Sequence, residues 1–179
     1  MIAVDGVDLT WPMLLVALGA AVAVGLVTGR RTRTAGLWLS LALSLALIAA
    51  LTLGFLLGGT SGQAGGVNLV PFQEIQRGLD NRGSSPWRNL VGNVVLFMPF
   101  GAAVAGLIRG RFWRRVVTAT VLGAVLSASI EVAQHWGGRV ADIDDIILNT
   151  AGALVGSVVA ATLAASTGTT RRPGRTLEG

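Results

Sequence analysis

The sequence predicts an all-α integral membrane protein, a bundle of about five transmembrane helices, and three observations carry that expectation. Hydrophobic residues make up 52% of the 179-residue chain, and mean hydropathy is +0.66. Charged residues make up only 13%, against roughly 25% in a soluble domain. The apolar residues gather in five runs, about 11–28, 37–57, 89–108, 116–134 and 143–165. Each is close to the roughly 20 residues that cross the hydrocarbon core at about 1.5 Å per residue.

A chain this short makes one bundle, expected over 1–165, and leaves no room for a separate soluble domain. It contains no cysteine, which excludes disulfides, zinc–thiolate sites and cysteine nucleophiles. Every basic residue is an arginine, and the net charge is +5. The arginines fall in short clusters between the apolar runs, with no basic face and no nucleic-acid motif. Membrane lipids are therefore the expected partners and nucleic acid is not.

The first run opens on Trp11, suited to the interface, and Pro12, suited to a first helical turn. Gly25 and Gly29 form a small-xxx-small pair within it. Arg30, Arg31 and Arg33 follow, and then a second run of almost pure Leu, Ala and Ser. Residues 58–66 have flexible-linker chemistry. Residues 67–75 are amphipathic, too short to span, and expected to lie along the membrane surface. Ser85 at the N-cap, Pro86 at the first position and Trp87 start the third span. Pro99 is expected to kink that helix and free a carbonyl near Val95. The tail 166–179, with Arg171, Arg172 and Arg175, is expected to be disordered and cytoplasmic.

Arginine placement sets the orientation. Arg30, Arg31, Arg33, Arg109, Arg111, Arg114, Arg115, Arg171, Arg172 and Arg175 fall on one side of a five-span bundle, while Arg77, Arg82, Arg88 and Arg139 fall on the other. The positive-inside rule then places the N-terminus outside and the C-terminus in the cytoplasm. Loops 58–88 and 135–145, which hold the unusual residues, face the extracytoplasmic side.

Asn93, Glu131 and Asn149 each lie about one turn inside a span, roughly 5–6 Å below its outer boundary. Ionisable groups within spans usually face the bundle interior or a wet cavity, and mark functional sites. Glu131, Gln134 and His135 share one helical face by their i, i+3, i+4 spacing, and Asp142, Asp145 and Asn149 share another. Arg139, in the turn between them, and Arg88 are natural counter-ions. The expected pocket is thus Asn93, Glu131, Gln134, Arg139, Asp142, Asp145 and Asn149, with Asn68, Pro71 and Phe72 as a lid.

Structural roles compete with this reading. Asp142, Asp144 and Asp145 suit the capping of the fifth helix. Asn93 and Asn149 suit interhelical hydrogen bonds. A Glu131–Arg139 pair alone would account for Glu131. The spacing matches neither HExxH nor an EF-hand loop, and there is no G-x-S-x-G elbow and no P-loop. No catalytic residue, metal or cofactor is expected.

Three blocks resemble the VanZ-like family of small bacterial membrane proteins. They are Asn68-Leu69-Val70-Pro71-Phe72; the stretch from Asn89 to Gly101 around Asn93 and Pro99; and the stretch from Ser129 to Gly152 that holds Glu131, Arg139 and the three aspartates. The resemblance covers about residues 67–156. It implies a multi-pass protein of the bacterial cytoplasmic membrane, in a family named for low-level resistance to teicoplanin-type glycopeptides. The expectation is a non-catalytic protein that binds or shields a cell-wall or lipid component, such as a lipid-linked cell-wall precursor, and lowers glycopeptide susceptibility. The alternative is a membrane-embedded enzyme or transporter acting on a polyprenyl-phosphate-type head group, with Glu131 and the aspartates as acid/base groups or magnesium ligands.

Overall fold

The computed structural model describes residues 2–4, 7–9, 30–53 and 65–169. The expected first span with its Gly25/Gly29 pair, and the tail beyond 169, lie outside the described residues. The elements in chain order are β1 (Ile2–Val4), β2 (Val7–Leu9), α1 (Arg30–Leu53), β3 (Val67–Asn68), α2 (Gln73–Asp80), α3 (Ser85–Leu107), α4 (Phe112–Trp136), β4 (Ala141–Asp142) and α5 (Ile143–Thr169). Among the described residues, four helical stretches are long and apolar enough to cross a membrane: Thr34–Thr52, Ser85–Leu107, Phe112–Trp136 and Ile143–Ser166.

The boundaries differ from expectation in physically readable ways. The cluster Arg30, Arg31 and Arg33 forms the first turn of α1 and not a loop before it. Ser84, one residue earlier than expected, caps α3: its side chain accepts a hydrogen bond from the Trp87 amide. This leaves Pro86 in the first turn, where its missing N–H costs nothing. Pro99 sits buried inside a helix that runs on to Leu107. Residues 166–169, expected to belong to a disordered tail, continue α5.

α3 and α5 make the most extensive packing contact in the bundle. Val94 faces Gly152 and Met98 faces Gly156, with residue numbers rising together, so the two helices run parallel. A Cβ added at Gly152 or Gly156 would lie well under 3.0 Å from the facing carbonyl oxygen, and one at Gly101 would meet the Ala153 carbonyl. Backbones approach this closely only where side chains are absent, which is what small residues four apart provide in a membrane helix. α4 lies antiparallel across α5, with Gly123 against Ala153 and Ser127 against Asn149.

α1 packs on α3 through a stripe at i+4 intervals: Ser40, Ser44 and Ile48 are buried. The Ser44 and Thr52 hydroxyls donate to carbonyls one turn back within α1, at 2.7 and 2.6 Å. Hydroxyls can therefore sit in an apolar span without an unsatisfied donor. Phe97 and Phe100, with ring centroids 6.1 Å apart, centre the core with Ala105, Ala119, Ile130 and Ala153. The outward faces are as apolar as the core: Leu39, Leu43, Val121, Val125, Val155 and Val159 are all exposed. Such a perimeter needs lipid around it.

The starts of α3 and α5 and the ends of α1 and α4 meet at one end of the bundle. There β3 and β4 pair in parallel, with Val67 opposite Ala141 and Asn68 opposite Asp142, and α2 packs against α3.

Candidate functional site

The three clustered aspartates take three different partners. Asp142, on β4, accepts from the Asp144 amide at 2.9 Å, which caps the start of α5. Its other oxygen accepts from Asn68 Nδ2 at 2.9 Å, and its own amide donates to Glu131 Oε2 at 2.8 Å. Asp144 is wholly buried and reaches back 72 residues to α2. Its Oδ1 accepts from the Phe72 amide at 2.5 Å, and its Oδ2 accepts from the Glu74 and Ile75 amides at 2.8 and 3.2 Å. Asp145 turns to α3, and its Oδ1 accepts from both Asn89 and Asn93, at 2.8 and 2.7 Å.

Asp144 explains an otherwise costly loop. Phe72, the residue at the start of α2, has φ 66° and no capping side chain. A non-glycine residue in this region is uncommon and holds only where its surroundings fix it. Asp144 supplies the fixation, since it caps a helix that is not its own. Asn68 anchors the preceding turn, because its Oδ1 accepts from the Val70 amide at 3.2 Å while its amide holds Asp142.

Above the α3–α5 contact lies a cavity of about 330 Å³, within the range of small-ligand sites. Five of its lining side chains are apolar: Leu47 and Leu51 of α1, Val95 and Leu96 of α3, and Ile130 of α4. Toward the helix ends the lining becomes polar, with Arg88, Asn89 and Asn93 of α3, Glu131 and Gln134 of α4, Arg139 of the turn, and Asp145 and Asn149 of α5. Val95 carries the carbonyl whose i+4 donor would be Pro99, so one main-chain acceptor beside the cavity has no helical partner. Glu131 and Gln134 are buried, and Asn149 is 3% exposed.

Six of the seven residues expected in the pocket line this cavity: Asn93, Glu131, Gln134, Arg139, Asp145 and Asn149. Asp142 does not. The shared face assigned to Asp142, Asp145 and Asn149 assumed a helix already formed at Asp142, but α5 starts at Ile143. Asn68, Pro71 and Phe72 line no part of the cavity. Asn68 and Phe72 are bound to the aspartates beside it, and Pro71 and Phe72 are exposed. Asn93 and Asn149 also make interhelical hydrogen bonds, Asn93 to Asp145 and Asn149 Nδ2 to Ser127 Oγ at 2.9 Å.

Sequence reasoning missed the wall from α1, where Thr52 accepts from Gln134 Nε2 through its main-chain carbonyl at 3.0 Å. It also left Asn89 outside the pocket, although Asn89 lies one turn before Asn93. His135 Nδ1 lies 3.4 Å from the Gly66 carbonyl, and Trp136 is exposed. Among the described residues, no group of three or more His, Cys, Asp or Glu is placed to hold a metal ion.

One lining residue carries an atom that stands apart. Asn149 Oδ1 is buried without a hydrogen-bond partner. Leaving an acceptor in that state costs about 1–3 kcal/mol, and native structures contain few such atoms. The combination of a void, an unpartnered amide oxygen, two carboxylates and two arginines can take a small polar group and hold it by several hydrogen bonds.

No curated protein and no solved structure matches the chain. A family model described as VanZ/LLP1 matches residues 38–164. The match extends the expected core of 67–156 in both directions, takes in most of α1 and contains every residue that lines the cavity. The chain belongs to the VanZ/LLP1 family, and its four long apolar helices are those of a membrane protein.

Proposed function

We propose that the protein resides in the bacterial cytoplasmic membrane and binds the head group of an outer-leaflet envelope lipid, such as a lipid-linked cell-wall precursor, in the cavity between α1, α3, α4 and α5. The N-terminus is outside and the C-terminus cytoplasmic, as the arginine distribution favours, so the cavity opens to the extracytoplasmic leaflet. Binding shields the head group and lowers the access of teicoplanin-type glycopeptides to the envelope.

The observation that carries this reading is the two-part lining. Polar groups toward the helix ends suit a charged head group, and Leu47, Leu51, Val95, Leu96 and Ile130 suit the start of an acyl or prenyl chain. Family membership supports a role at the envelope.

The test is glycopeptide susceptibility of cells expressing wild type, Glu131→Gln and Arg139→Ala at matched membrane levels. Glutamine at 131 can still accept from the Asp142 amide, so this variant removes charge while keeping the bond that holds the turn. Alanine at 139 keeps the main-chain hydrogen bond to the Gln134 carbonyl and removes the side chain beyond Cβ, guanidinium included. Both variants are expected to restore susceptibility toward that of cells lacking the protein. Equal protection by all three proteins would refute the proposal.

A further inference from the structure

The carboxamides around the cavity share one orientation. Asn89 and Asn93 donate to the Asp145 carboxylate, Gln134 donates to the Thr52 main-chain carbonyl, and Asn149 donates to Ser127 Oγ. A carboxylate and a main-chain carbonyl only accept, so the first three amides must present their NH₂ groups to the protein. Their carbonyl oxygens are left over as acceptors on residues that line the cavity. The fourth, Asn149 Oδ1, is buried on a side chain 3% exposed and has no partner. Arg88, on the same lining, directs Nη1 to the Gly83 carbonyl and Nη2 to Ser85 Oγ, both at 2.8 Å. The lining is therefore rich in acceptors, and two of them belong to the carboxylates Glu131 and Asp145.

A ligand that complements such a lining brings hydrogen-bond donors, with positive charge where it meets Glu131 or Asp145 and negative charge where it meets Arg139. A primary ammonium supplies the donors and the positive charge: it is a compact cation with three N–H donors and no acceptor. We propose that the cavity selects a lipid head group bearing a primary amine, whose N–H groups are accepted by Asn149 Oδ1 and the neighbouring amide and carboxylate oxygens. Arg139 stands on the same lining for the phosphate that joins such an amine to its lipid. This rests on the reading of the cavity as a lipid head-group site, and it names the chemistry that the site selects.

Successive N-methylation of the amine tests it, because each methyl removes a donor while the charge stays. Purified full-length protein in detergent is offered equimolar phosphatidylethanolamine, its N,N-dimethyl derivative, phosphatidylcholine and phosphatidylglycerol with identical acyl chains, and bound lipid is read by native mass spectrometry. Retention is expected to fall at each step, by about tenfold or more across the series, the effect of a charge-assisted hydrogen bond. Asn149→Leu, with Asn93→Leu as a second variant, is expected to flatten the series. Equal retention of phosphatidylcholine and phosphatidylethanolamine by the wild type would overturn selection for the amine and leave the lipid-site reading standing. Phosphatidylglycerol held as tightly as phosphatidylethanolamine would also overturn it, since hydroxyl donors would then suffice. Retention of no lipid at all would overturn the head-group reading itself.

Discussion

Replacing Gly156 by alanine is expected to destabilise the bundle by about 3 kcal/mol or more, a large value for one methyl group. On an exposed helix the same change stabilises by about 1 kcal/mol, through propensity alone, so even its sign reports on the packing. The new Cβ would overlap the Met98 carbonyl and crowd the Ala102 amide. These are main-chain atoms of α3 and cannot turn aside as a side chain would. Relief requires α3 and α5 to separate, which opens the Val94–Gly152 and Gly101–Ala153 approaches as well. Leu154→Ala and Val155→Ala are the controls, because both residues lie in the same turn with their side chains exposed. Thermal unfolding in detergent, followed by size-exclusion chromatography, reads the difference. A Gly156→Ala protein as stable as the controls would refute the close approach.

Loss of the Asp144 carboxylate is expected to release α2 while the spans stay packed. Asp144→Ala strips the acceptors from the Phe72, Glu74 and Ile75 amides in one step. Removing a helix cap typically costs about 1 kcal/mol, and leaving buried donors unpaired costs about 1–3 kcal/mol more. Phe72 would then lose the contact that holds its left-handed backbone. Asparagine should give an intermediate effect: with one oxygen in place of two, it can serve Phe72 or the Glu74–Ile75 pair but not both. Amide hydrogen exchange should rise across residues 69–80 and stay low through α3 and α5. Unchanged protection at 69–80 would count against the cap.

Four of the five expected spans lie among the described residues, and they were legible in the sequence because the signal for them is coarse: charge is nearly absent from long runs, and lipid penalises any exception. The same penalty made the exceptions conspicuous, so Asn93, Glu131, Gln134, Asp145 and Asn149 could be grouped before any geometry was known, and they line one cavity. Resolution failed at the scale of single residues. Neighbouring helix positions differ in direction by about 100°, so which of three adjacent acidic residues faces which neighbour depends on elements far away in the chain. Asp144, absent from the expected pocket, makes the longest-range polar contacts of the three apart from the Asn68–Asp142 pair.

Gly152 and Gly156 carried a readable signal that went unused. They form a small-xxx-small pair of the same kind as Gly25 and Gly29, but set in the helix beside the polar cluster. The contribution of α1 had no comparable signal. Thr52 reads as an ordinary hydroxyl near the end of an apolar run, and only its main-chain carbonyl meets Gln134.

The reach of Asp144 back to Phe72 also bears on how the protein is made. At about 5–20 residues per second, their sequence separation of 72 sets them roughly 4–14 seconds of synthesis apart. Throughout that interval the segment around Phe72 has emerged without its cap, and Asn89 and Asn93 lack their carboxylate. The first turn of α5 supplies both in the same moment, so addition of the final helix closes this end of the bundle in a single event. A chain that ends before this point keeps the segment around Phe72 without its cap and Asn89 and Asn93 without their acceptor.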